Sequence, residues 1–175
     1  IQLFLIGYLL TFIFDTDSSL LVLFILIFMV MVSSWISLRT LSIKTKELFF
    51  FAFISIGFGG GLTLFFITQA VVNIPIWYEP RYLIPLAGMT FANSLTGLSL
   101  AAERFEAEIR RNVEYEEARK IAFKASLIPV VNTLLAVGVV ALPGMMTGQI
   151  LSGISPLIAV RYQIMVMCMI FGSSG

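Results

Sequence analysis

The sequence predicts an all-α, polytopic transmembrane helical bundle, and three observations lead there. Hydrophobic residues make up 59% of the 175-residue chain and charged residues 12%, with mean hydropathy +1.00; a soluble domain carries about twice that share of charge. Six apolar stretches, 1–14, 20–38, 48–72, 86–102, 125–142 and 164–171, contain no Asp, Glu, Lys or Arg. The basic residues cluster: segments 39–47 and 103–120 hold eight of the eleven, Lys124 lies just beyond, and only Arg81 and Arg161 fall in the alternate loops. Under the positive-inside rule the two basic segments are cytoplasmic.

At about 20 residues per crossing the chain accommodates six spans in a single transmembrane domain, 1–175, with the first and last truncated. The chain starts at Ile1 without a Met, so a fragment is expected, with seven spans in the full protein. Stretch 1–14 is short for a crossing. Residues 15–19, DTDSS, form a polar turn able to cap the next helix. Span 20–38 closes near Trp35, an interfacial anchor. Span 48–72 contains Gly57, Gly59, Gly60 and Gly61, which suit close helix packing. Segment 73–85, with three prolines, Trp77, Tyr78 and Tyr82, reads as an interfacial loop. Span 86–102 is punctuated by Thr90, Asn93, Ser94, Thr96 and Ser99. Segment 103–120 reads as a mostly helical charged connector, with Glu106–Arg110 and Glu116–Lys120 as i,i+4 pairs, each contributing about 0.2–0.5 kcal/mol. Its apolar stripe is Phe105, Ile109 and Val113.

Several chemistries are excluded. The chain has no histidine and one cysteine, Cys168, so it lacks the commonest metal ligand and general base and any thiolate cluster. Without H-E-x-x-H or an intramembrane carboxylate it is not read as an enzyme. Carriers driven by ion gradients usually hold an ionisable group inside the membrane, and the six spans have none. No G-x-x-x-x-G-K-[ST] is present, so a carrier built this way needs an external motor.

The most informative stretch is 125–163. Pro129 and Asn132 interrupt its apolar helix, Pro143-Gly144 breaks it, and a loop of small and soft residues leads to a new helix after Pro156. Such irregular backbone survives in a membrane only beside protein or a water-filled cavity. With the helix continued to Leu142, Asn132 lies about 16 Å before Pro143. Asn93, Asn132, Met145, Met146 and Gln149 are therefore the candidate lining of a translocation route. Each also has a plain alternative, methionine as core filler or amides bonding between helices. The metal-ligand set is left unassigned. Thioethers favour soft ions, but no histidine or thiolate supports them.

The run LPGMMTGQILSGISPLIAVRYQIMVM, with ASLIP at 125–129 and fainter matches at IPLAGM (84–89) with Asn93 and at IQLFLIGY (1–8), resembles the permease family of ABC transporters that includes the iron exporters of bacteria and the aluminium-sensitivity proteins of plants. The resemblance touches most of the chain. It implies a membrane permease subunit, homodimeric, in the inner cell membrane. Such a subunit exports iron or another metal, binds no cofactor itself, and works with a separate cytoplasmic ATP-binding subunit that uses ATP. Segment 103–120 would be the docking surface, with Phe105, Ile109, Arg110 and Arg111 coupling to the ATPase; a solvated connector is the alternative. Relatives carry a longer stretch between the positions of Asn112 and Tyr115. A nucleotide sugar is the alternative cargo, and an ATPase-independent channel the rival mechanism, although no charged selectivity ring is visible. The lipid bilayer is the other expected partner, and no nucleic acid is.

Overall fold

The computed structural model describes residues 2–14, 18–42 and 45–174. Seven helices follow one another: α1 Gln2–Phe14, α2 Ser19–Ser37, α3 Lys46–Val71, α4 Pro80–Arg110, α5 Tyr115–Ala136, α6 Gly144–Leu151 and α7 Pro156–Ser174. No strand occurs among the described residues. Ser18 caps α2, its hydroxyl accepting from the Leu21 N–H at 3.5 Å; the rest of the expected polar turn, residues 15–17, lies outside the described residues, as does Lys44 of the basic loop. Thr45 caps α3 in the same way.

Four helices, α2, α3, α4 and α7, are long and apolar enough to cross a membrane, which makes this a multi-pass membrane protein. The other two expected spans take different forms. Helix α1 has 13 residues, about 20 Å against a hydrocarbon core of about 30 Å. The expected span 125–142 is divided: α5 starts within the charged segment at Tyr115 and stops at Ala136. Val137 (φ −63°, ψ 130°) and Gly138 (φ +82°) then make a type II turn, whose second central position needs the left-handed conformation that glycine adopts freely.

Helix α4 is the hub. It packs against α5, α2, α7, α3 and α1, and its Leu83, Leu86, Ala87 and Phe91 form the buried core with Val22 and Val30 of α2, Ile56, Leu64 and Ile67 of α3, and Val166 and Met169 of α7. It begins at Pro80, six residues before the expected span. Proline at the first helical position loses no hydrogen bond, because that N–H has no partner in a helix. Helix α7 begins at Pro156, where the sequence places the return to helix, and so extends eight residues ahead of the charge-free stretch that starts at 164.

Several hydroxyls inside these helices bond locally. The Ser34 hydroxyl donates to Val30 O at 2.7 Å and Thr90 to Leu86 O at 2.8 Å, one turn back along the helix. Two hydroxyls tie helices together: Ser99 donates to Ser37 O at 2.9 Å and Ser94 to Ser173 O at 3.0 Å. Cys168 is exposed on α7.

Helix α3 contains two π-helical turns, Ile56–Gly60 and Ile67–Val71. A Cβ on Gly60 would lie 2.9 Å from Cδ1 of Phe91, and one on Gly57 3.5 Å from Val30, whereas Gly59 and Gly61 have open space. Gly60 is thus the close-approach point of α3 and α4. Gly60→Val should lower stability by about 1–3 kcal/mol through overpacking against the buried Phe91 ring, while Gly59→Ala should leave melting in detergent unchanged. Equal melting of the two variants would refute the assignment.

Candidate functional site

The charged segment folds as a helical hairpin. Helix α4 ends at Arg110, and Asn112 adopts φ +60°. The Asn112 N–H reaches Ile109 O at 3.0 Å and the Val113 N–H reaches Glu108 O at 3.2 Å. This is a Schellman closure with asparagine in the left-handed position, and it lets the chain pass from Arg111 to Tyr115 without a longer loop. Phe105 and Tyr115 meet edge to face across the hairpin at 5.5 Å.

Of the expected coupling residues, Phe105 is half-buried by that contact, Ile109 is 40% exposed at the tip, and Arg111 is exposed. Arg110 donates at 2.6 Å to both Glu106 Oε1 and Ser42 Oγ, while the Ser42 N–H donates to Glu106 Oε2 at 3.3 Å. The two basic segments therefore lie at one end of the molecule. Glu108 is buried, with Arg104 Nη2 2.6 Å and Arg111 Nη1 3.7 Å from its Oε1. That oxygen lacks well-aligned hydrogen-bond geometry, so the contact is chiefly coulombic.

The expected loop after Pro143 contains a helix, α6, and the backbone groups expected to be unpaired are largely bonded. The Thr147 N–H donates to Pro143 O at 2.9 Å, and a second Schellman closure pairs Gly153 N–H with Ile150 O and Ile154 N–H with Gln149 O, each at 3.0 Å, with Gly153 at φ +88°.

The far end of the bundle holds a cavity of about 300 Å³. Met145 and Gln149 of α6 line it, together with Arg81, Tyr82 and Met89 of α4 and Tyr162 and Met165 of α7. Gln149 Oε1 is buried without a hydrogen-bond partner. Asn93 lines a separate cavity of about 60 Å³ between α4, α5 and α7, with Pro129, Thr133 and Met167, and its amide nitrogen donates to Met89 O at 2.7 Å. Met146 is half-buried outside both cavities. Asn132 is exposed, four residues from the end of α5, because that helix does not continue to Leu142. The structure thus brings together Met145 and Gln149 alone of the five.

Sequence reading missed Arg81, Tyr82 and Tyr162 at this cavity. The available signal was Pro80 as a helix start, which puts residues 81, 82, 85, 86 and 89 on one helical face. Among the described residues no group of His, Cys, Asp or Glu could hold a metal ion.

Membrane-length helices, a charged hairpin at one end and a largely apolar cavity with a few polar groups at the other define a multi-pass membrane protein. The whole chain, residues 1–175, matches an uncharacterised protein family, UPF0014, and belongs to it. It is 35% identical to the UPF0014 membrane protein slr1647 of Synechocystis sp., over 97% of this chain and 71% of that protein. It is 31% identical to the probable iron export permease protein FetB of Escherichia coli, over 99% of this chain and 71% of the relative. It is also 31% identical to the protein ALUMINUM SENSITIVE 3 of Arabidopsis thaliana, over 99% and 68%. No solved structure matches.

Asn112→Gly should leave the melting of the full chain unchanged, because glycine adopts the same φ. Asn112→Val should cost about 1–3 kcal/mol, read as a lower melting temperature and faster proteolysis at 111–114. Wild-type behaviour of the valine variant would show that the hairpin does not need this turn.

Proposed function

We propose that the chain is the membrane-spanning permease subunit of an ABC transporter that exports iron or another metal, with ATP hydrolysed on a separate cytoplasmic subunit. The observation that supports this most is the similarity to the probable iron export permease of Escherichia coli across 99% of the chain. The absence of a P-loop agrees with a motor on another polypeptide. In this reading residues 1–175 form one transmembrane domain with no catalytic residues and no cofactor of its own. In the same reading α1 and the α5–α6 segment supply parts of two further crossings beside the four membrane-length helices. The hairpin faces the cytoplasm, and the cavity with Met145 and Gln149 opens on the other side of the inner membrane.

The exposed hairpin tip supports docking to the ATPase. Ile109, exposed beside Arg110 and Arg111, suits a partly apolar partner groove with charged rims. Exposed groups on α5 and α6 also support a homodimer. Asn132 is exposed on the apolar half of α5, Leu135 and Leu151 are exposed nearby in sequence, and Gly144 and Gly148 have open space where a Cβ would stand. An amide against lipid is costly, so a second copy of the chain is the fitting cover.

The test is co-purification with the ATP-binding subunit, followed by reconstitution in vesicles. Iron should move only with ATP; movement without ATP would favour a channel. Ile109→Asp should uncouple hydrolysis from transport while the protein still inserts, since burying a charge in a docked apolar contact costs about 1–3 kcal/mol or more. Met145→Ala and Gln149→Ala should reduce cargo-stimulated hydrolysis more than basal hydrolysis; equal loss of both would remove the cavity from the route. In a Cys168→Ala background, Ser42→Cys should label only from the cytoplasm and Ile76→Cys only from outside.

A further inference from the structure

The cavity lined by Met145 and Gln149 adjoins a second, about 480 Å³, that holds Arg161; the two share Val72, Tyr162 and Met165 as lining. Arg81 and Arg161, the only basic residues outside the two clusters and Lys124, thus line two neighbouring cavities, one each. Arg161 lies in the second turn of α7, about 7.5 Å from its start, because α7 begins at Pro156. An ionisable residue inside a spanning helix marks a functional site by default. Arg161 is exposed and makes no ion pair among the described residues, whereas Arg81 has a contact of its own.

We infer that these adjoining cavities bind an anionic group, phosphate or carboxylate, with Arg161 as its principal donor and Arg81 as the second. A guanidinium offers a planar fork of N–H donors that matches these groups two bonds at a time. The hydroxyls of Tyr82 and Tyr162 add neutral donors. No Asp or Glu is among the described residues lining either cavity, so a bare metal cation would meet two positive charges and no carboxylate. The thioether of Met165 favours soft cations, but an uncharged sulfur does not offset a guanidinium beside it. A metal would be accepted here only inside an anionic complex. The anion is either that of a solute or the headgroup of an acidic lipid, since Arg161 is close enough to the helix end to extend to the interface.

This inference goes beyond the transport reading and is tested on the full chain alone, without ATPase or iron, so either can fail without the other. Binding of pyrophosphate and of citrate is measured by calorimetry in phosphatidylcholine nanodiscs, and retention of phosphatidylglycerol by native mass spectrometry. Wild type should bind at least one solute or retain the acidic lipid. Arg161→Gln should weaken that binding about tenfold or more, as loss of a charged hydrogen bond predicts, with Arg161→Lys between the two. Solute binding lost in Arg161→Gln identifies a solute site; lipid retention lost without any solute binding identifies a headgroup site. Either supports the inference. Wild type that holds none of the three, or Arg161→Gln that holds them as well as wild type does, overturns it. Gln keeps the helix, and an unchanged melting temperature separates lost binding from lost folding.

Discussion

Inside hydrocarbon a peptide group has no water to bond, so every N–H and C=O must find a partner within the protein. That constraint explains the distribution of order in this chain. The serines and threonines of the helices bond to carbonyls one turn back or on a neighbouring helix, and so remain compatible with burial. The breaks are closed by short local motifs: a type II turn at Val137-Gly138 and Schellman closures at Asn112 and Gly153. Each places glycine or asparagine at the one residue whose φ is positive. Buried polar atoms that stay unpaired are accordingly few among the described residues, and two of the three, Gln149 Oε1 and Gln163 Oε1, lie on α6 and α7.

Helix α4 translates this local order into architecture. Its 31 residues span about 46 Å, longer than the hydrocarbon core, so its charged end projects beyond the apolar region. Its first turns line the outer cavity, Asn93 lines the smaller cavity nearer the middle, and Glu106, Glu108 and Arg110 build the hairpin. Helix α7 runs beside it from Tyr162 and Met165 to Met167 and Ile170. The close approach at Gly60 presses α3 against the same helix, so displacement of α4 cannot be confined to one end.

Composition and the spacing of charges made the fold class legible, because uninterrupted apolar runs have few physical alternatives at this length. Helix limits were less legible. Pro80, Pro85 and the aromatics near them read as a loop, yet Pro80 occupies the first helical position, where proline costs nothing, and Pro156 does the same. The division of 125–142 was hidden because VVALPG reads as a continuation of the apolar helix; only the positive φ at Gly138 shows the turn. Met145 and Gln149 were found from the break that surrounds them. Arg161 was passed over because the charge count assigned it to a loop, where a lone basic residue is unremarkable, although a helix starting after Pro156 already contains it.

The placement of Arg161 on a helix changes the chemistry of the cavity. In a loop, Arg161 would be hydrated and free to point anywhere. On the second turn of α7 its Cα is fixed by the helix, with Tyr162 next in sequence and Met165 one turn on, both lining the same space. A hydrated arginine screens its charge in water; one held at the edge of hydrocarbon keeps a strong field, since a lower local dielectric raises every charge interaction. The three methionines and the Gln149 carbonyl lining the cavity are uncharged, and they do not cancel that field. The sign of charge this end of the bundle accepts is therefore set by guanidinium groups, and the uncharged, largely apolar lining shapes the fit.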